Sequence, residues 1–344
     1  MSPEDAAPVA STTQTHHGRS VAVVDPLARR VWESVSNSPL RSLWNFEGAP
    51  AKRVWKGTFL SLLDDNLLSR AAELGYYFIF ALFPTLVCAS AMLGLAAKSA
   101  AAIYLSLLHY LALVVPASAY AIVITTFNQT TAAATGGKLT LGLIGALWSA
   151  SVGFSAIQDG MNTAYKVRES RPYWKARGSA ILVTVLLAII ITLNLATLLG
   201  GDFVARYLYA HIWHRWLAIT AVVAIRGISW LVAVALLMLI FSTIYYFAPD
   251  LKAKRWHWLT PGAAMGIIGW VLASLGLRVY LHYFGDFSPT YGSLGAVIVL
   301  LTWFYISGLM LLLGAELNSE IQAAVAERKL KQAGELPAEA VVNS

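Results

Sequence analysis

The chain has 344 residues, 58% of them hydrophobic and only 12% charged, with a formal net charge of +7. Soluble domains usually carry about 25% charged residues, so this deficit excludes an ordinary soluble enzyme and leaves a polytopic membrane protein. The basic excess would suggest nucleic acid in a soluble protein. Here Lys and Arg lie in short segments between apolar runs, where they read as topology determinants beside anionic lipid.

Residues 1–50 are rich in Ser, Thr, Ala and Pro and read as a disordered cytoplasmic tail. The start, MSPEDAAPVA, has no basic segment followed by an apolar core, so it is not read as a cleaved signal peptide. Over 52–69, Val54, Trp55, Phe59, Leu62, Leu63 and Leu67 recur at helical spacing beside Lys52, Arg53 and Lys56, which predicts an amphipathic interfacial helix. A first span follows at about 74–97, with Pro84 in its middle to kink it and Glu73 at its mouth. Its Cys88 is the chain's one cysteine, so neither an intramolecular disulfide nor a cysteine metal site can form.

Residues 99–137 are apolar enough to span but are interrupted by Pro116 and carry His109, Asn128 and Gln129. Charge decides their reading. If they span, the loop holding Lys166, Arg168, Arg171, Lys175 and Arg177 falls outside the cell; if they do not, it falls inside, as the positive-inside rule requires. They are therefore expected to form an extracytoplasmic helical hairpin, re-entrant or lying on the surface. Further spans are expected at about 139–164, 180–200, 217–247, 261–283 and 292–316. Residues 51–320 then form one integral domain and 321–344 a cytoplasmic tail. The expected fold is an all-α polytopic bundle of six transmembrane helices with both termini cytoplasmic.

Polar groups inside such spans are functional candidates by default, because lipid makes them costly unless paired or wetted. Gln158 and Asn162 share one helix face, with Asp159 beside them; a structural cap, Asp159 paired with Lys166 or an arginine, is the bland alternative. Glu316 and Asn318 pose the same question at the end of the last span. Glu73, Asp159 and Glu316 would all lie near the cytoplasmic ends of their helices and could meet in one polar cluster, acting as a gate, an ion site or a static latch. Asn194 is mid-span and could line a cavity or bond a neighbouring helix. Arg226 and Arg278 either snorkel to the outer interface or bind an anionic group such as a lipid phosphate, which the planar guanidinium fork suits.

Asp202, His211 and His214 share one outer loop but lack the further ligand a zinc site needs. The chain has no GxSxG, HExxH, P-loop or Rossmann glycine pattern, so no catalytic residue, metal or cofactor is expected. The expected partners are membrane lipids, with anionic headgroups the leading candidates, and not nucleic acid; the sequence sets no oligomeric state.

Three stretches carry a resemblance. AAELGYYFIFALFP (Ala71–Pro84), LWSASVGFSAIQDGMNTAYKVRESRPYWKAR (Leu147–Arg177) and TYGSLGAVIVLLTWFYISGLMLLLGAELNSE (Thr290–Glu320) resemble the YihY/virulence factor BrkB family, long labelled ribonuclease BN. The last stretch is the most specific. The resemblance covers about 63–320 and implies a six-span inner-membrane protein, with some members linked to envelope integrity, lipid export or serum resistance. Two functions are expected to compete: a transporter or flippase-like lipid-handling protein, and a non-transporting structural or assembly protein of the envelope. Ribonuclease activity has no catalytic set to rest on.

Overall fold

The computed structural model describes residues 26–37, 43–44, 50–95, 125, 136–212, 214–284 and 293–337. Among them are α1 (Pro26–Asn37), α2 (Ala51–Asp64), α3 (Leu67–Leu95), α4 (Gly136–Ala164), α5 (Tyr173–His211), α6 (Arg215–Phe247), α7 (Pro261–Phe284) and α8 (Ser293–Gln332), with no strand among the described residues. Five of these helices are long and apolar enough to cross a membrane, over Thr140–Ala164, Tyr173–His211, Arg215–Phe247, Pro261–Tyr283 and Leu294–Gln332. They coincide with the second to sixth expected spans. Helix α3 occupies the place of the first and continues through residue 84. The expected hairpin over 99–137 lies almost wholly outside the described residues.

Helix α8 is the hub, packing on α1, α2, α3, α4 and α7. Its 40 residues reach about 60 Å at 1.5 Å per residue, twice the thickness of a hydrocarbon core. Small residues let its neighbours approach. A Cβ on Gly75 of α3 would lie 3.1 Å from the Tyr305 backbone nitrogen, and one on Gly262 of α7 would fall on the Gly314 carbonyl oxygen. The lipid-type surface is on the outside, where Leu182, Ile189, Leu193, Val223, Ile228 and Leu231 of the α5–α6 hairpin are exposed.

Three expectations change at the basic end of the bundle. Residues 26–37, read as part of a disordered tail, form α1, because Val31, Trp32 and Val35 bury one face against Ala323, Ala326 and Leu336. The single helix expected over 52–69 breaks at Asp65–Asn66, where Asn66 takes φ 52°, a left-handed conformation that Asn tolerates better than most residues. The helix of the last expected span does not stop at 316: α8 runs on to Gln332, because Leu317, Ile321 and Val325 repeat every turn and pack on Val54 of α2 and Leu43.

Helix α2 thereby shows an unusual polarity. Its inward face carries Val54, Thr58 and Ser61, all buried, while the larger Trp55, Phe59, Leu60 and Leu63 face outward. This outward apolar face lies beside the exposed Lys52 and Lys56.

Candidate functional site

Helix α4 stops in a left-handed cap: Lys166 has φ 54°, its N–H donates to the Thr163 carbonyl and the Val167 N–H to that of Asn162. This cap aims the Lys166 ammonium at Asp65, in the break between α2 and α3, and the two form an ion pair that is mostly buried. Burial outweighs the lysine at Asp65 and raises its carboxyl above the usual range. Lys166 also lies 5.8 Å from the centre of the Trp32 ring of α1.

Glu316 of α8 faces this pair and is 0% exposed. Neither of its carboxylate oxygens makes a hydrogen bond of ordinary geometry among the described residues; Lys166, Ser61, Asp65 and Glu320 surround it. One turn on, the Ser61 hydroxyl donates to Glu320 at 3.3 Å. Further along, Glu327 takes Arg53 of α2 and, at 2.9 Å, Lys331. The layer holds four acids, Asp65, Glu316, Glu320 and Glu327, whereas the three bases each have a carboxylate other than Glu316 as ion-pair partner. Among these acids Glu316 is the one with neither an ion pair nor a hydrogen bond of ordinary geometry among the described residues.

A second polar layer joins the α4–α5 and α6–α7 loops. The Asn162 amide donates to Glu169 at 3.0 Å and its carbonyl accepts the Asp250 N–H at 2.7 Å. Arg171 forks onto Glu169 at 2.7 and 2.6 Å and lies 3.5 Å from Asp250, which also accepts the Ser170 N–H at 2.8 Å. The Arg171 bonds hold the Glu169 carboxyl below the usual range. At Asp250 burial works upward, but the Ser170 bonds and Arg171 prevail and its carboxyl is also lowered.

The third feature is a cavity of about 40 Å³ between the end of α6, the loop after it and α8. Its lining includes Lys254, Arg255 and His257 together with Tyr165, Tyr245, Thr260, Asn318 and Gln322. No acidic residue among the described ones lines it. Burial, with help from Arg171, lowers the Lys254 ammonium below the usual lysine range.

The predicted site residues divide sharply. Gln158 is buried and donates to the Ser179 hydroxyl at 3.0 Å, tying α4 to α5. Asn194 donates to the Ala233 carbonyl at 3.1 Å, tying α5 to α6. Asn318 accepts the Gly262 N–H and donates to the Thr260 hydroxyl, both at 2.9 Å, and so closes the α7 N-terminus that Thr260 itself caps through the Ala263 N–H. Asp159 is exposed and is not paired with Lys166; it lies near Arg70, whose partner is Glu73 at 3.0 Å. Arg226 pairs with Asp202 at 3.3 Å at the far end of the α5–α6 hairpin, and Arg278 is half-buried near the end of α7. Of the three acids expected to cluster, Glu73 and Asp159 share one surface and Glu316 is buried among other groups.

Sequence reasoning missed Asp65, Tyr165, Glu327 and Arg177 as site residues. Arg177 stacks its guanidinium 4.4 Å from the Trp148 ring while two of its nitrogens are buried without a hydrogen bond. The Asp202–His211–His214 set does not assemble: Asp202 holds Arg226, and the His211 ring bonds the Tyr207 carbonyl at 2.9 Å. Among the described residues no group of three or more His, Cys, Asp or Glu could hold a metal ion.

Comparison with known proteins gives the lineage. The chain is 36% identical over 267 residues to the "Putative ribonuclease-like protein YfkH" of Bacillus subtilis (strain 168), covering 73% of this chain and 88% of that one. It is 29% identical over 194 residues to a "UPF0761 membrane protein" of Xanthomonas oryzae pv. oryzae (strain PXO99A), a match spanning 54% of this chain and 42% of the relative. A "UPF0761 membrane protein" of Coxiella burnetii (strain Dugway 5J108-111) matches at 26% over 103 residues, 30% of this chain and 37% of that protein. No solved structure matches. The family model described as Virulence factor BrkB matches residues 58–337, and the chain is a membrane protein of that family.

Proposed function

We propose that this chain is a multi-pass protein of the bacterial inner membrane, with six spans and both ends cytoplasmic, that moves or handles anionic lipid in a flippase-like manner. The observation that carries the reading is Glu316: an acid with no exposure and no hydrogen bond of ordinary geometry, in a helix apolar enough to cross a membrane. An unpaired buried carboxylate is unfavourable by several kcal/mol, roughly, and residues of this kind within membrane helices mark substrate or proton pathways. The orientation is supported by Lys166, Arg171, Lys254 and Arg53 gathering at one end of the bundle. With no nucleotide-binding motif, movement would be facilitated or coupled to an ion. Reconstitution into liposomes with fluorescent anionic lipid tests this. Wild type exceeds protein-free vesicles, Glu316→Gln falls to background and Asp159→Asn retains movement. Wild type at background sinks the reading.

A second reading, a non-transporting scaffold of the envelope, is favoured by a different observation. Gln158, Asn162, Asn194 and Asn318 all have hydrogen-bond partners within the bundle, as latches do. It predicts that substitutions at these four lower stability and change no flux. The ribonuclease-like name belongs to the Bacillus relative, and the residues gathered here give it no catalytic carboxylate set around a watery cleft.

A further inference from the structure

We infer that the cavity beside Lys254 is a binding site for a phosphate-type anion, either a lipid headgroup or a free phosphate compound. Three observations converge on it. The bundle's basic end is rich in acids, yet none of the described acids lines this cavity, while Lys254, Arg255 and His257 all do. Lys254 is half-buried and makes no ion pair or hydrogen bond among the described residues. Asp250 and Glu169, the acids that attract it, are already engaged, Asp250 by Ser170 and Arg171 and Glu169 by Arg171. A half-buried ammonium without a direct partner is unfavourable, and an anion in the cavity would supply the missing partner.

The rest of the lining suits the same ligand. Thr260 brings the N-terminus of α7, a 24-residue helix, beside the cavity, and the positive end of a helix dipole favours an anion nearby. Its first N–H groups are already occupied by Thr260 and Asn318, so the helix contributes field and the side chains contribute hydrogen bonds. The position suits a headgroup: Tyr246 of the cavity packs edge-on to Trp256 at 5.3 Å, and Trp258 beyond it is 69% exposed, an arrangement of interfacial aromatics.

The lipid-handling reading gives the bound group its role, but binding itself is testable without transport. The purified full-length chain in an uncharged detergent is titrated with inorganic phosphate and with a short-chain phosphatidylglycerol, against chloride at matched ionic strength. Wild type saturates with at least one probe. Lys254→Glu weakens that binding about tenfold or more, as expected for loss of a charge-assisted contact and gain of a repulsive one. Lys252→Glu makes the same charge change two residues away, where the side chain is exposed and does not line the cavity, and leaves affinity within about twofold. Lys254→Met, which keeps the aliphatic stem, also weakens binding if Lys254→Glu fails to fold. A phosphatidylglycerol advantage identifies a headgroup site; equal binding of both probes identifies the phosphate alone. Absence of saturable binding beyond chloride, or equal loss in Lys252→Glu and Lys254→Glu, overturns the site. Protein that binds phosphate but moves no lipid keeps the site and removes the transport role; protein that moves lipid without binding phosphate does the reverse.

Discussion

Lys166 donates to Asp65 across 101 positions of sequence, and both ends of that bond are set by left-handed backbone, at Lys166 itself and at Asn66. The pair joins the end of α4 to the joint between α2 and α3, beside Glu316 of α8. Removing one partner leaves the other buried alone. Lys166→Met should therefore destabilise the protein by about 3 kcal/mol, the lower end of the range for broken buried pairs because both side chains keep some solvent contact. Denaturant titration in detergent checks this. Asp65→Asn combined with Lys166→Met should recover part of the loss, giving a coupling above about 0.5 kcal/mol.

Asn318→Ala removes the acceptor for the Gly262 N–H and the donor to Thr260. The expected loss is about 1–3 kcal/mol, from an unsatisfied buried helix N-terminus. Thr260→Ala should produce a similar loss and add little to it, because both act on one helix end. Additive losses in the double variant would contradict the shared cap.

Gly262→Ala drives a methyl group into the Gly314 carbonyl oxygen, which is backbone and cannot move aside. Folding should fail or the melting temperature fall steeply. Gly178→Ala is the control: nothing lies within 4 Å of its added Cβ, and helix propensity makes it stabilising by up to about 1 kcal/mol.

The Glu169–Arg171–Asp250 cluster sets a pH dependence. Both carboxyls titrate lower in the folded protein than their ordinary values of 4.5 and 3.8. Their stabilisation is thus fully present above those values and is lost as pH falls through the lower folded ones. Glu169→Gln with Asp250→Asn should lower the melting temperature at neutral pH, and the difference from wild type should shrink below about pH 4. A difference that grows on acidification would reverse the sign.

The spans were legible because a bilayer demands long apolar runs and short basic loops, and α4 to α8 answer that demand directly. What was not legible came from distant packing. Trp32 lies in a context of serines and charged residues and is buried because α8 and Lys166 cover it. Beyond Glu316 the apolar residues of α8 thin to Leu317, Ile321 and Val325, too sparse to signal a membrane helix and sufficient to hold α2. Asn318 read as a functional candidate, and its capping of α7 was not legible because Thr260, its partner there, lies 58 residues away. Lys254 lies in one of the short basic segments between apolar runs, and only the fold encloses it while leaving Lys252 exposed.

The most direct measurement is transbilayer movement of fluorescent phosphatidylglycerol and phosphatidylcholine in the same proteoliposomes, for wild type and Glu316→Gln. The expected result is faster movement of phosphatidylglycerol by wild type, and movement at the protein-free rate for Glu316→Gln in protein whose melting temperature is equal or higher. Equal rates for wild type, Glu316→Gln and protein-free vesicles would contradict a lipid-moving function and leave the scaffold reading.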